Sequence, residues 1–296
     1  METKKVTQND VYNLINNRVI AYLENGIIPW NQSWAQVGIP TNLITKKPYT
    51  GINTCLLTSL GYDQNFFLTF KQLKELGGSV IKGEKSCPVI FWEWSEIDNK
   101  DKPGTKKKVS VIKYYTVFNI HQCTDIPVEM IPLTKDFSSM VKPEKLWNNM
   151  PNRPTLQHVQ DEAYYNPEND YINMPKKKDV TEEEYYYMLF QMLIHSTGHK
   201  SRLSRKEVFD PTLFGIQPFS QEDLVSEIGS SYLNSYCGIH DNRSDESDNL
   251  VDGWLEKLKE NNRLIVFAAS QAQRAVDYIL NLTTDSLTKP KQKTSA

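Results

Sequence analysis

The hydrophobic period of this chain changes twice, and that limits the folds open to it. Near the start, Val11, Leu14, Ile15, Val19, Tyr22 and Leu23 recur at helical spacing and mark one apolar helix face. Between Cys87 and Asn119 the pattern shifts. Cys87–Trp94 and Val109–Asn119 (Val111, Ile112, Tyr114, Tyr115, Val117, Phe118) are dense in β-branched and aromatic residues, which predicts two strands. Helical spacing returns for Thr181–Thr197, Ser220–Tyr236, Asp248–Lys259 and Arg263–Leu280. The fold class that follows is α+β, with an α+β front part holding a β-hairpin or sheet and a mainly helical back part.

Local signals sharpen these elements. Thr7 with Asp10, Thr69 with Gln72, and Thr181 with Glu184 have the spacing of capping boxes, in which each side chain satisfies the other's backbone N–H. Gly26, Gly61 and Gly77-Gly78 stand where helices should stop. The polar, Lys-rich stretch from Glu96 to Lys108 predicts a long loop between the strands. Prolines 127, 132, 143, 151 and 154 interrupt a region without periodicity. For a chain of 296 residues this suggests two domains, 1–135 and 136–296. The Lys-rich tail after Thr284 is expected to fray.

Composition excludes some classes of protein. No apolar run approaches the roughly 18 residues of a membrane span, so no membrane partner is expected. The first residues have no secretory pattern, and Cys55, Cys87, Cys123 and Cys237 are too scattered for a disulfide framework or a thiolate zinc site. A cytoplasmic location is expected. The net charge of −2 conceals a polarity: residues 1–150 carry 18 Lys+Arg against 14 Asp+Glu, the remainder 16 against 22. A mildly basic front half hints at an anionic partner.

The segment richest in chemistry is the helix ending Gln191-Met192-Leu193-Ile194-His195-Ser196-Thr197-Gly198-His199. His195 and His199 are four apart, a spacing that can place two imidazoles toward one zinc ion. Zinc hydrolases follow the first such His with a Glu that serves as base; here that position holds Ser196. Gly198 would end the helix before His199. Shifting the pair back one turn gives Gln191 and His195, with Met192 at the base position. Either register lacks the base. Carboxylates for a further ligand lie at Glu222, Asp223 and Glu227, although the first two also suit the opening turn of a helix. A metal-independent core role for His195 is the plainer alternative.

A family resemblance rests on residues from the whole chain. Tyr164–Pro175, His195–Leu203, Glu222–Gly229 and Ala268–Tyr278 resemble the metallopeptidase-like, zincin-type domain of ArdC-type antirestriction proteins. Pro29-Trp30, Tyr49–Asn53, Leu68–Phe70, Gly77-Gly78, Lys82–Lys85 and Val117–Asn119 are similar to that family's N-terminal domain. The resemblance implies a single-stranded-DNA-binding protein of plasmids and conjugative elements that shields incoming DNA from restriction. It also implies a back domain built around His-Glu-x-x-His followed by Thr-Gly-His. Placed on that pattern, Gln191 stands for the first ligand His, Met192 for the catalytic Glu and His195 for the second ligand. His199 matches the Thr-Gly-His segment. Asp223 is implied as the acidic ligand and Glu227 as its supporting carboxylate. A vestigial metal site and an inactive peptidase domain follow, with no cofactor required and residual zinc or another divalent ion as the alternative.

Single-strand binding needs cations for phosphates and flat rings for bases. The candidates in the front half are Trp30, Trp34 and Tyr49 with Lys46 and Lys47, then Asn53, Lys71, Lys82 and Lys85, and the run Lys106-Lys107-Lys108. From Lys100 to Lys113 there are six lysines and one acid. Each has a plainer reading: Trp30 can pin the first helix, Lys106–Lys108 can be a solvated loop tip, and Trp92 and Trp94 can be sheet-face residues. Two other functions stay open. One is a metallohydrolase using His195, His199 and a carboxylate; the other is an acidic module that docks a restriction or replication protein.

Overall fold

The structure, a computed structural model, describes residues 6–98, 104–132, 141–209, 219–239 and 247–282. The expected boundary at 135–136 and the Lys-rich tail after Thr284 lie outside these residues. Helix α1 (Gln8–Glu24) opens on its capping box: the Thr7 N–H donates to Asp10 Oδ2 at 2.8 Å and the Asp10 N–H to Thr7 Oγ1 at 3.2 Å. The front half continues as β1 (Thr41–Asn42), α2 (Ile52–Thr58), β2 (Phe66–Thr69), α3 (Phe70–Glu75), β3 (Ser79–Val80), β4 (Cys87–Asp98), β5 (Lys106–Asn119) and β6 (Cys123–Thr124). The main sheet has the order β1-β2-β5-β4, with β1 and β2 parallel and the other pairs antiparallel. Strands β3 and β6 form a separate two-stranded ribbon.

The strands run further than the sequence suggests. Strands β4 and β5 pair from Cys87↔Val117 out to Asp98↔Lys106, so Lys106, Lys107 and Lys108 lie in a strand instead of a loop. Hydrophobicity hides this because burial along β4 ends at Ile90 and along β5 begins only at Ile112, leaving the outer ends of both strands to solvent. An outer segment without a packed face needs no apolar alternation.

The back half holds α4 (Pro143–Asn149), then β7 (Thr155–Gln157), β8 (Tyr164–Asn166) and β9 (Tyr171–Asn173), which form a sheet of order β7-β9-β8. The sequence reading missed these strands. At three residues each, they are too short to display a period. The helices α5 (Glu182–Thr197), α6 (Gln221–Cys237), α7 (Ser247–Glu260) and α8 (Leu264–Ile279) match the predicted ones within two residues at either end.

One hydrophobic cluster extends from Val11 and Ile15 through Val89 and Val117 to Leu193, Ile228 and Val276. Helix α6 packs closely on α5 because position 229 is glycine: a Cβ there would lie 2.6 Å from Ile194 Cδ1. Polar contacts cross between the halves as well. Asn16 Nδ2 donates to Leu258 O at 2.8 Å, Tyr232 OH to Gly51 O at 2.6 Å, and the Gly51 N–H to Gln273 Oε1 at 3.1 Å. The four cysteines are free thiols. Among the described residues no helix is long and apolar enough to cross a membrane.

Candidate functional site

Helix α5 delivers His195 to the middle of the back half. Its N-terminus is fixed by Thr181, whose N–H donates to Glu184 Oε2 at 2.9 Å. At the other end, His195 Nδ1 lies 3.2 Å from Glu222 Oε1 on the first turn of α6. Glu222 is only 2% exposed. It also receives Arg205, whose Nε donates to Glu222 Oε2 at 2.7 Å and whose Nη2 donates to Oε1 at 2.6 Å. The same guanidinium closes the end of α5, donating to Thr197 Oγ1 at 2.7 Å and to Ile194 O at 2.8 Å. Burial pushes the Glu222 carboxyl up, but the hydrogen bonds and charges of Arg205 and His195 outweigh it and hold the group below the usual carboxylate range.

The other implied ligands are turned to other partners. Asp223 caps α6: the Ser220 N–H donates to Asp223 Oδ2 at 3.0 Å, and the Asp223 N–H to Ser220 Oγ at 3.1 Å. Glu227 accepts from two indoles, Trp30 Nε1 at 3.0 Å and Trp254 Nε1 at 3.1 Å. Gln191 Nε2 donates to Tyr187 OH at 3.2 Å, and Met192 packs against the hydrophobic core. The carboxylate that meets His195 is therefore Glu222, not Asp223. Its partner Arg205 escaped the sequence reading, since the pair is 17 residues apart and follows no helical period.

His199 has a separate environment. The Ser201 N–H donates to His199 Nδ1 at 3.2 Å, Ser201 Oγ lies 2.7 Å from that nitrogen, and Asp170 Oδ2 lies 3.9 Å from it. A nucleophilic relay needs the hydroxyl and the carboxylate on opposite ring nitrogens; here both meet the same one. Burial pushes the His199 imidazole down, with Asp170 opposing. Asp170 is held by Arg202 and by Tyr165 OH at 2.9 Å.

These donors do not fit a divalent ion. Among the described residues no three His, Cys, Asp or Glu side chains converge as metal ligands. The Glu222 carboxylate beside His195 is already neutralised by a guanidinium, and the base position carries a thioether.

The proposed DNA contacts divide by burial. Trp30 (1% exposed), Trp34 (4%) and Tyr49 (6%) belong to the core and offer no ring face to a base, a correction to the sequence reading. Trp34 is packed edge-on against Tyr232 at 4.9 Å. Buried Asn53 pins α2 to β4, donating to Ile90 O and accepting from the Ile90 N–H, both at 2.8 Å. The lysines are exposed but dispersed: Lys46 and Lys47 follow β1, Lys71 lies on α3, Lys82 and Lys85 lie between β3 and β4, and Lys106–Lys108 begin β5. Among the described residues the exposed aromatics are instead Trp94 (72%), Trp92 (41%), Phe91, Tyr114 and Tyr115 on the ribbon, Phe70 on α3 and Phe267 on α8.

Residues 9–118 match the N-terminal domain of anti-restriction factor ArdC, and residues 144–271 match a zincin-like metallopeptidase domain. The metal-free crystal structure of antirestriction protein ArdC from plasmid R388 aligns with a TM-score of 0.72 and 33% identity, over 92% of this chain and 97% of that one. The chain belongs to the ArdC antirestriction family. The Mn(II)-bound form of the R388 protein aligns with a TM-score of 0.70 and 32% identity, with the same coverage. Thus a family member of this fold takes up a divalent ion, whereas among the described residues of this chain no such group of ligands comes together. Two Escherichia coli DNA primases TraC are 31% and 29% identical over 290 and 310 aligned residues, 90% and 95% of this chain. The chain spans only 26% and 20% of their lengths. The uncharacterized protein y4eC of Sinorhizobium fredii (strain NBRC 101917 / NGR234) is 25% identical over 92% of both chains.

Proposed function

We propose that this family member binds single-stranded DNA on the outer β4–β5 ribbon and shields transferred DNA in the cytoplasm, while its back half serves as a scaffold without peptide hydrolysis. The observation that carries the reading is the exposed aromatic face of the ribbon. Cross-strand pairing of Ile90 with Tyr114, Trp92 with Ile112, and Trp94 with Ser110 puts Trp92, Trp94 and Tyr114 on one face. Rings held this way can stack on successive bases without sequence preference, at about 1–3 kcal/mol per base.

The scaffold part follows from the residues around His195. A hydrolytic site would need a group to activate water; Gln191 and Met192 supply none, and Glu222 is tied to Arg205. Fluorescence anisotropy with a labelled single strand tests the DNA reading. The parent is expected to bind, and W92A/W94A to bind about thirtyfold or more weakly, as loss of two stacking platforms at about 1 kcal/mol or more each implies. Parental affinity in that variant, or no binding by the parent, would overturn it. Peptide turnover by the purified chain with added zinc or manganese would overturn the scaffold reading.

A further inference from the structure

The ribbon supplies rings but little net charge. Counted along one strand, the lysines around residue 106 look strongly basic; pairing brings β4 beside them. Among the described residues the ribbon sets Lys106, Lys107, Lys108 and Lys113 against Glu93, Glu96 and Asp98. Lys106 Nζ lies 4.0 Å from Glu96 Oε2, and Lys113 is paired with Glu93. Two of the four described lysines are thereby matched by carboxylates.

Two cavities of about 370 and 360 Å³ open side by side along α8 and share Ser270 and Arg274 in their walls. One extends to Lys206 in the turn after α5; the other reaches Trp92 on the ribbon. Among the described residues neither wall contains Asp or Glu. Phe267, Ser270, Gln271 and Arg274 follow i, i+3, i+4, i+7 spacing and so share one face of α8. The Phe267 ring is 6.5 Å from that of Trp92 and tilted 39° to it, with the two residues 40% and 41% exposed. Lys206 and Arg274 are exposed, and neither pairs with a carboxylate of another described residue. Arg205 also lines this trough, but Glu222 cancels its charge. The nearby carboxylate Asp277 accepts from Gln273 Nε2 at 2.9 Å and lies outside both walls.

We infer that this trough is a second segment of the DNA track: a single strand stacked on the ribbon crosses the Trp92–Phe267 pair and lays phosphates on Arg274 and Lys206. The inference rests on the ribbon reading. Unmatched cations beside aromatic rings, with no carboxylate among the described wall residues, select a single-stranded polyanion over an apolar peptide. The zincin-like half thereby becomes part of the nucleic-acid surface.

The test uses the full chain and a labelled strand of about 25 nucleotides, longer than the roughly 4–16 that one binding module covers. Affinity is measured against salt for the parent, W94A, K206Q/R274Q and K206R/R274K. W94A is expected to bind more weakly with the parental salt slope, because it loses stacking but no phosphate contact. K206Q/R274Q is expected to lower the slope of log K against log salt by about 1.4, two contacts at roughly 0.7 each. K206R/R274K should restore the slope. Parental affinity and slope in K206Q/R274Q, with W94A weakened, overturn the trough and leave the ribbon standing. Parental affinity in W94A overturns the ribbon reading.

Discussion

Arg205→Met tests the buried cluster most sharply, because it leaves the Glu222 carboxylate without its main partner. The wild-type guanidinium makes two hydrogen bonds to that carboxylate, at 2.6 and 2.7 Å, in a site where Glu222 is 2% exposed. After the substitution only His195 Nδ1, at 3.2 Å, remains of the bonds described at that group. Removing one partner of a buried ion pair costs about 3–5 kcal/mol. The Thr197 hydroxyl and the Ile194 carbonyl also lose a donor, which places R205M toward the upper end of that range. The double variant R205M/E222Q removes the stranded charge along with its partner and should recover much of the loss, since an apolar replacement of a whole pair is often nearly neutral. Urea unfolding at pH 7 followed by circular dichroism measures all three chains. A cost below about 1 kcal/mol for R205M, or a double variant no better than R205M, would refute the claim that the pair is coupled. The pH dependence supplies a second check. Glu222 is held below its unfolded value, so its contribution is complete above a pH of about 4.3 and lost as the pH falls through the folded value. E222Q should therefore flatten the acid limb. It will not abolish it, because Asp170 is depressed in the same direction.

Trp30→Phe keeps the ring but removes one of the two indole donors to Glu227; a stability loss of about 1–2 kcal/mol is expected, with DNA affinity unchanged in an anisotropy titration. Gly229→Ala should cost about 1–3 kcal/mol in urea unfolding, since its Cβ would sit 2.6 Å from Ile194 Cδ1 where α5 and α6 touch. Zinc, manganese and EDTA should leave the thermal midpoint unchanged. A bound ion at a hundred times its dissociation constant adds about 2.7 kcal/mol, so a rise of several degrees with either metal would contradict the donor-set argument.

What was legible in the sequence was what local chemistry determines. The capping boxes at Thr7, Thr69 and Thr181 all form, because each needs only two side chains three residues apart. The long helices follow from apolar stripes wide enough to reveal a period. The sheet β7-β9-β8 stayed hidden because no three-residue strand carries a pattern. The tryptophans were inverted for a related reason. Trp30 and Trp34 lie in a polar, Pro-containing loop and look exposed, yet α6 and α7 cover them. Trp92 and Trp94 lie in a strand and look buried, yet Trp94 stands out in solvent and Trp92 is covered only in part, with Phe267 of α8 against it. Burial depends on which element lies opposite, and neighbours in sequence do not report that. The same limit applied at His195. Its lost companions, Gln191 and Met192, could be read directly from the chain, whereas the Arg205 that neutralises Glu222 emerged only from the tertiary arrangement.

The carboxylate of Glu227, gripped by Trp30 from near one terminus and Trp254 from near the other, has a consequence for how this chain can be divided. A cut at the proline-rich midpoint would not release two self-sufficient pieces: each would carry away one indole and bare the apolar surface that its counterpart had sheltered. Fragments expressed alone should be prone to aggregate, and mixing the two should restore solubility.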